Sequence, residues 1–261
     1  MFRAIKSELI RLNRPSFIVG GIGLMAGFAS ITTVLAFSAA GKSGVGPGQY
    51  IPTEAALASS DGFVSGLALT ANIVGIVALA AWAIAVATDY GTGLIRLLVQ
   101  AEPKRYRLLV GKLVALVLYT LAGTLAATLT AAGTAALIAP MFDVSTATWG
   151  AGTVVTLAQA FVHLSLSTVA WGVIGLTIAT ISMSSAIAIA VGVGYVVVFE
   201  NMLLLVAKDA ANWLPAATLT ALAAGGTPNI DYSTALALGA AYVLAGLIIA
   251  GAIVQRREIT Y

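Results

Sequence analysis

The chain has 261 residues, of which 60% are hydrophobic and 9% charged, with a formal net charge of +3 and no cysteine. Soluble globular domains carry about 25% charged residues, so this composition describes an integral membrane protein, and its continuous apolar runs describe helices in place of the alternating strands of a β-barrel. Disulfides and thiolate metal or redox chemistry are excluded, and no basic-aromatic cluster marks a nucleic-acid reader.

Met1–Arg14 opens the chain with Phe2, Ile5, Leu9 and Leu12 at helical spacing. Arg3, Arg11 and Arg14 point elsewhere and Lys6 sits near the edge of the apolar face, the pattern of a helix lying in the headgroup plane. The n-region of a signal peptide fits less well, because the apolar run that follows exceeds the 7–15 residues of an h-region. Six spanning segments are then predicted near Ser16–Phe37, Gly62–Thr88, Leu108–Ile138, Thr153–Ile178, Ser185–Ala207 and Ser233–Val254, each longer than the roughly 20 residues that cross the hydrocarbon. In the loop 38–61, Gly41-Lys42-Ser43 invites a phosphate-loop reading, but Ala36 stands where that motif needs glycine. No other stretch supplies a nucleotide-binding motif. The short uncharged turn 178–184 predicts a hairpin. Residues 208–232, broken by Pro215, Gly225, Gly226 and Pro228, read as short re-entrant or surface helices that cap the outer face.

Charge placement orients these spans. With both termini cytoplasmic, the inner segments hold Arg3, Lys6, Arg11, Arg14, the five basic residues of the central loop, Arg256 and Arg257, against Lys42 and Lys208 outside. Eleven basic residues against two is a strong positive-inside bias. The acids Glu54, Asp61, Asp143, Asp209 and Asp231 fall outside.

The central stretch, Asp89–Lys112, is the one long charged segment between apolar runs. Thr92 is placed to cap a short helix from about Gly93 to Gln100. Leu94, Leu97, Leu98 and Ala101 share one face of it and Arg96 and Gln100 another; Pro103 suits the first turn of the next helix. The order Asp-Tyr, Gly-Thr, Leu-Ile-Arg-x-Leu-Leu, Pro, Arg, Leu-Leu-x-Gly-Lys resembles the cytoplasmic loop of type-2 permeases of ATP-binding-cassette (ABC) exporters. Glu200, Trp213-Leu214-Pro215, Ala224-Gly225-Gly226-Thr227 and the closing Gln255-Arg256-Arg257-Glu258-Ile259-Thr260 extend the resemblance, with Glu258 where the family has aspartate.

The resemblance implies an all-α integral membrane protein of the type-2 ABC exporter permease fold. An interfacial elbow helix over 1–14 precedes six transmembrane helices, and an extracellular cap covers 208–232. The segment 89–107 becomes the coupling loop, in which Asp89, Thr92, Leu94, Arg96, Leu97, Leu98, Pro103 and Arg105 meet a separate ABC ATPase subunit. That partner would bind ATP and Mg, this chain needing no cofactor and having no catalytic residues. A second permease copy or a related permease would complete the transporter, whose cargo is a hydrophobic or amphipathic drug, antibiotic, peptide or lipid.

Acids and histidine are rare inside the predicted spans. Glu200 is the only acid there, in the outer half of the fifth. It serves either as a gate or substrate contact, or as a tie to the backbone of the 208–232 cap. His163 is the only histidine, and Gln159 and Ser167 four residues to either side complete a stripe. That stripe either lines a cavity or bonds to a neighbouring helix; Gln159 falls at a depth similar to Glu200. Gly23-x-x-x-Gly27 and Gly62-x-x-x-Gly66 allow close helix approach. An ion- or proton-coupled carrier is the alternative function, but it needs charges nearer the midplane. An intramembrane hydrolase lacks its Gly-x-Ser-x-Gly elbow.

Overall fold

A computed structural model of the chain describes residues 2–41, 52–94, 100, 105–150, 152–206 and 212–256. Among these residues the secondary structure is entirely helical. Helix α1 is Phe2–Leu12 and α2 is Pro15–Ala39; α3 is Leu67–Gly91, α4 Arg105–Ile138 and α5 Thr153–Ser182. Helix α6 covers 185–206, α7 is Pro215–Ala224 and α8 is Tyr232–Arg256. Five stretches are long and apolar enough to cross a membrane, one each around α2, α3, α4, α5 and α8, which fits a multi-pass membrane protein.

The remaining expected span, Ser185–Ala207, is helical as far as Val206 but in three pieces, because a π-helical segment, Tyr195–Phe199, separates Ser185–Gly194 from Glu200–Val206. A π turn inserts extra backbone and re-aims the side chains after it. The α5–α6 hairpin is tighter than the uncharged turn suggests: α5 runs on to Ser182, Met183 turns left-handed at φ 53°, and Ser184 caps α6 by accepting from the Ile187 N–H at 3.3 Å.

Helices α3 and α5 are the most buried of the long helices, and α2 and α8 the least. Two fully buried tryptophans lock α3 to α5, each seated on a glycine of the other helix. A Cβ at Gly172 would lie 2.5 Å from the Trp82 ring, and one at Gly75 2.1 Å from the Trp171 ring. Gly175 brings the backbones closer still, with the Leu79 carbonyl oxygen 2.3 Å from where its Cβ would stand. The indole N–H of Trp82 donates to Thr120 of α4 at 2.9 Å. The anticipated glycine pairs divide: Gly66 packs on Thr33 and Gly62 on the Leu57 carbonyl, whereas nothing lies within 4 Å of a Cβ at Gly27.

Helix α2 also contains a π-helical segment, Ile18–Gly23. The Tyr119 hydroxyl of α4 donates to the Phe17 carbonyl at 2.7 Å, occupying the space that a side chain at Gly21 would fill. The Phe17 carbonyl that leads into the π segment thus has a side-chain donor from α4.

Candidate functional site

Buried carboxylates with their partners form two clusters, one around Asp89 and one around Glu200. At the charged end, α1 lies against α4 and beside the last turn of α3. Its Glu8 and Arg11 form a closed ring with Asp89 of α3 and Lys112 of α4. Arg11 Nη1 is 2.9 Å from Glu8 Oε1, and Nη2 bonds to Asp89 Oδ1. Lys112 Nζ lies 2.7 Å from Asp89 Oδ2 and 3.1 Å from Glu8 Oε2, and also donates to the Ala85 carbonyl at 3.1 Å. Glu8, Asp89 and Lys112 are 7%, 2% and 8% exposed, so water screens them little. Two cations against two carboxylates leave no net charge. Burial lowers the Arg11 pKa, but Asp89 and then Glu8 outweigh that and hold it above its ordinary value.

This ring changes two expectations. Arg11 does not point to headgroups but turns inward. Asp89 is no loop residue: it sits within α3, buried, and its carboxylate is taken by Arg11 and Lys112. Thr92 follows the last residue of α3, its backbone N–H and hydroxyl both donating to the Thr88 carbonyl, at 3.0 and 2.7 Å; the first N–H groups of the helix it is expected to cap lie mostly outside the described residues. Leu94 is helical and half-buried, and Arg105 opens α4. Arg96, Leu97, Leu98 and Pro103 lie outside the described residues. Sequence reasoning missed Glu8 and the roles of Arg11 and Lys112. The available signal was that Asp89 and Lys112 are opposite charges at the margins of two apolar runs, where an ionised group needs a partner.

At the cap end, Glu200 follows the π segment directly and is 2% exposed. Its Oε2 accepts from the Ala216 N–H at 3.0 Å and its Oε1 from the Ala217 N–H at 2.7 Å. Glu200 therefore caps α7 from another helix. Pro215 at the first position has no N–H to satisfy, so the carboxylate takes the next two donors, at the positive end of the α7 dipole. Tyr195 adds a side-chain hydrogen bond to the same carboxylate.

Helix α7 is inserted among α3, α5 and α8, which fits the re-entrant alternative for this segment and not the surface one: Ala216, Thr218, Leu219, Ala221, Leu222 and Ala223 are buried. Ser167 donates to the Leu219 carbonyl at 2.7 Å, Thr220 to Asn72 Oδ1 at 3.0 Å, and the Tyr242 hydroxyl to the Trp213 carbonyl at 2.6 Å. The His163 ring lies 4.6 Å from that of Tyr232 and against Gly225, while Gln159 is exposed. The stripe on α5 thus runs from a buried backbone bond at Ser167, through a ring contact at His163, to a solvent- or lipid-facing Gln159.

Among the described residues no group of three or more His, Asp or Glu side chains is placed to hold a metal ion. No protein-family model and no curated protein matches the sequence.

Proposed function

We propose that the chain is the membrane-spanning permease subunit of an ABC exporter, driven by a separate ATPase subunit that binds ATP and Mg. In this reading 185–206 crosses the membrane despite its π segment, giving six crossings with both termini cytoplasmic. Two permease subunits pair in the cell membrane, and the cargo is hydrophobic or amphipathic. The observation that carries the reading is the buried ion ring. It ties α1, α3 and α4 into one block at the root of the segment that bears the family-like motif. A push on that segment by a closing ATPase would move three helices together and not bend one loop.

The test is co-purification with the partner ATPase and its turnover in nanodiscs. Leu97→Asp and Leu98→Asp would place a charge on the apolar face of the coupling helix, where burial against a partner requires an uncharged side chain. Both are expected to insert normally, lose the ATPase and abolish cargo-stimulated hydrolysis. Arg96→Ala gives a milder, salt-sensitive defect, as exposed ion pairs do. Normal coupling in both aspartate variants overturns the proposal.

A further inference from the structure

Between α5, α6 and α8 lies a cavity of about 290 Å³. Trp171 and Ile174 of α5, Tyr195 of α6 and Tyr242 of α8 form its walls, and Val191 and Ala245 are its lips. The two lip residues are exposed, while Trp171 is fully buried, so the cavity opens sideways between α6 and α8 and ends inside the bundle. Ala245 lies near the midpoint of α8, one of the helices long and apolar enough to span. At that depth the mouth faces hydrocarbon, not water.

The lining specifies the chemistry of the occupant. The wall carries no ionised side chain, and its phenols are already engaged, Tyr195 with Glu200 and Tyr242 with the Trp213 carbonyl. A polar ligand would surrender its hydration and find no free partner on the cavity surface, since the one unpartnered donor of the wall, the Trp171 indole N–H, is fully buried against Gly75 of α3. A purely apolar one loses nothing, and gains contacts that an empty void of this size denies its walls. The volume has room for on the order of ten water-sized groups at ~30 Å³ each, which suits a length of one hydrocarbon chain and is far too little for a helix of ~10 Å diameter. Phe199 stacks on Tyr195 with centroids 5.7 Å apart and braces that wall.

We propose that this cavity holds one acyl chain of a bilayer lipid, which enters laterally between Val191 and Ala245. The occupant touches Tyr195, Tyr195 bonds Glu200, and Glu200 caps α7, so a bound chain stabilises the seating of α7 by mass action. The inference needs only that the helices lie in a membrane; it stands whether or not the chain pairs with an ATPase.

The experiment is photolabelling of the full chain in nanodiscs of phosphatidylcholine containing a fraction with a diazirine in one acyl chain, with adducts mapped by mass spectrometry. The wall residues Ile174 and Tyr195 are expected to label in excess of Leu244 and Ile248, which are 60% and 70% exposed on α8. Ala245→Phe and Val191→Phe plug the mouth from opposite lips, so each should cut wall labelling severalfold and leave Ile248 labelling unchanged. Ile248 labelling and the melting temperature report folding, and if one lip variant fails to fold the other decides. Wall labelling no greater than that of Ile248, or unaffected by either plug, overturns the proposal. Labelling only by a single-chain probe added from solution, or cross-links only between two copies of the chain, overturns the assignment to a bilayer lipid.

Discussion

The charged end and the cap end each bury a carboxylate, and they neutralise it by different means. Asp89 faces two full cations, which must themselves be satisfied by Glu8 and by the Ala85 carbonyl. Glu200 faces two backbone N–H groups and a phenol, with no cation among the partners described. The ion ring is stiff in composition: remove one member and a buried charge is left over. The helix cap is tolerant, because a neutral acceptor can replace the carboxylate and the N–H groups carry only the partial charge of a helix end. A region that must transmit movement as a block suits the first arrangement, and a region that must seat one helix among others suits the second.

The largest expected effect breaks the charged end. Asp89→Ala leaves Arg11 and Lys112 sharing Glu8 alone, and breaking a buried pair typically costs about 3–5 kcal/mol. The double variant Asp89→Ala/Lys112→Met removes one charge of each sign and is expected to recover most of that loss, since an apolar replacement of a buried pair is often near neutral. Thermal unfolding of the single and double variants in the same detergent measures both. A double variant no more stable than Asp89→Ala would show that the ring is not a charge-balanced unit.

The cap end should respond less and with a different signature. Glu200→Ala orphans the Ala216 and Ala217 N–H groups and is expected to cost about 1–3 kcal/mol, the penalty of unsatisfied buried donors. Glu200→Gln retains an acceptor, so it should lose roughly 1 kcal/mol and keep most transport. Stability and transport measured together separate this from a charged substrate contact, for which Glu200→Gln would lose transport with the fold intact. Tyr242→Phe, which deletes the bond to the Trp213 carbonyl, is expected at the low end, about 0.5–1.5 kcal/mol.

Much of the helical architecture is legible from apolar run length alone, because a span must be apolar for about 20 residues. What is hidden has identifiable causes. The break in α6 falls at Tyr195–Phe199, a run as apolar as its neighbours, so hydropathy carries no mark of the π turn. The ion ring joins positions 78 and 104 residues apart; charge counting assigned Arg11 to one side of the membrane without showing that Asp89 would claim it. Glu200 was legible as far as its tie to the backbone of 208–232, which the Ala216 and Ala217 N–H groups supply; which two donors it takes leaves no sequence signature. The Trp82–Gly172 and Trp171–Gly75 pairs were missed because single glycines in an Ala-rich chain carry no motif.

The smallest effect sharpens the contrast between a remote cap and a local one. Asp231 caps α8 from the adjacent position. Its Oδ2 accepts from the Thr234 N–H at 3.1 Å and from the Ser233 hydroxyl, and its Oδ1 from the Thr234 hydroxyl at 2.6 Å. The hydrogen bonds from Ser233, then Thr234, hold its pKa below the ordinary carboxylate value. A depressed folded-state pKa gives stabilisation that is present above the unfolded value, about 3.9, and is lost as pH falls toward the folded one. Acidification below about pH 4 should therefore loosen the first turn of α8. Because Asp231 is fully exposed, the effect is local fraying. Amide exchange at Thr234, compared between wild type and Asp231→Ala, reads it directly: wild-type protection should fall toward the variant's on acidification, while the variant itself shows no such step. Protection at Thr234 that is equal in the two proteins at neutral pH would mean that α8 is held at this end by its packing and not by its cap.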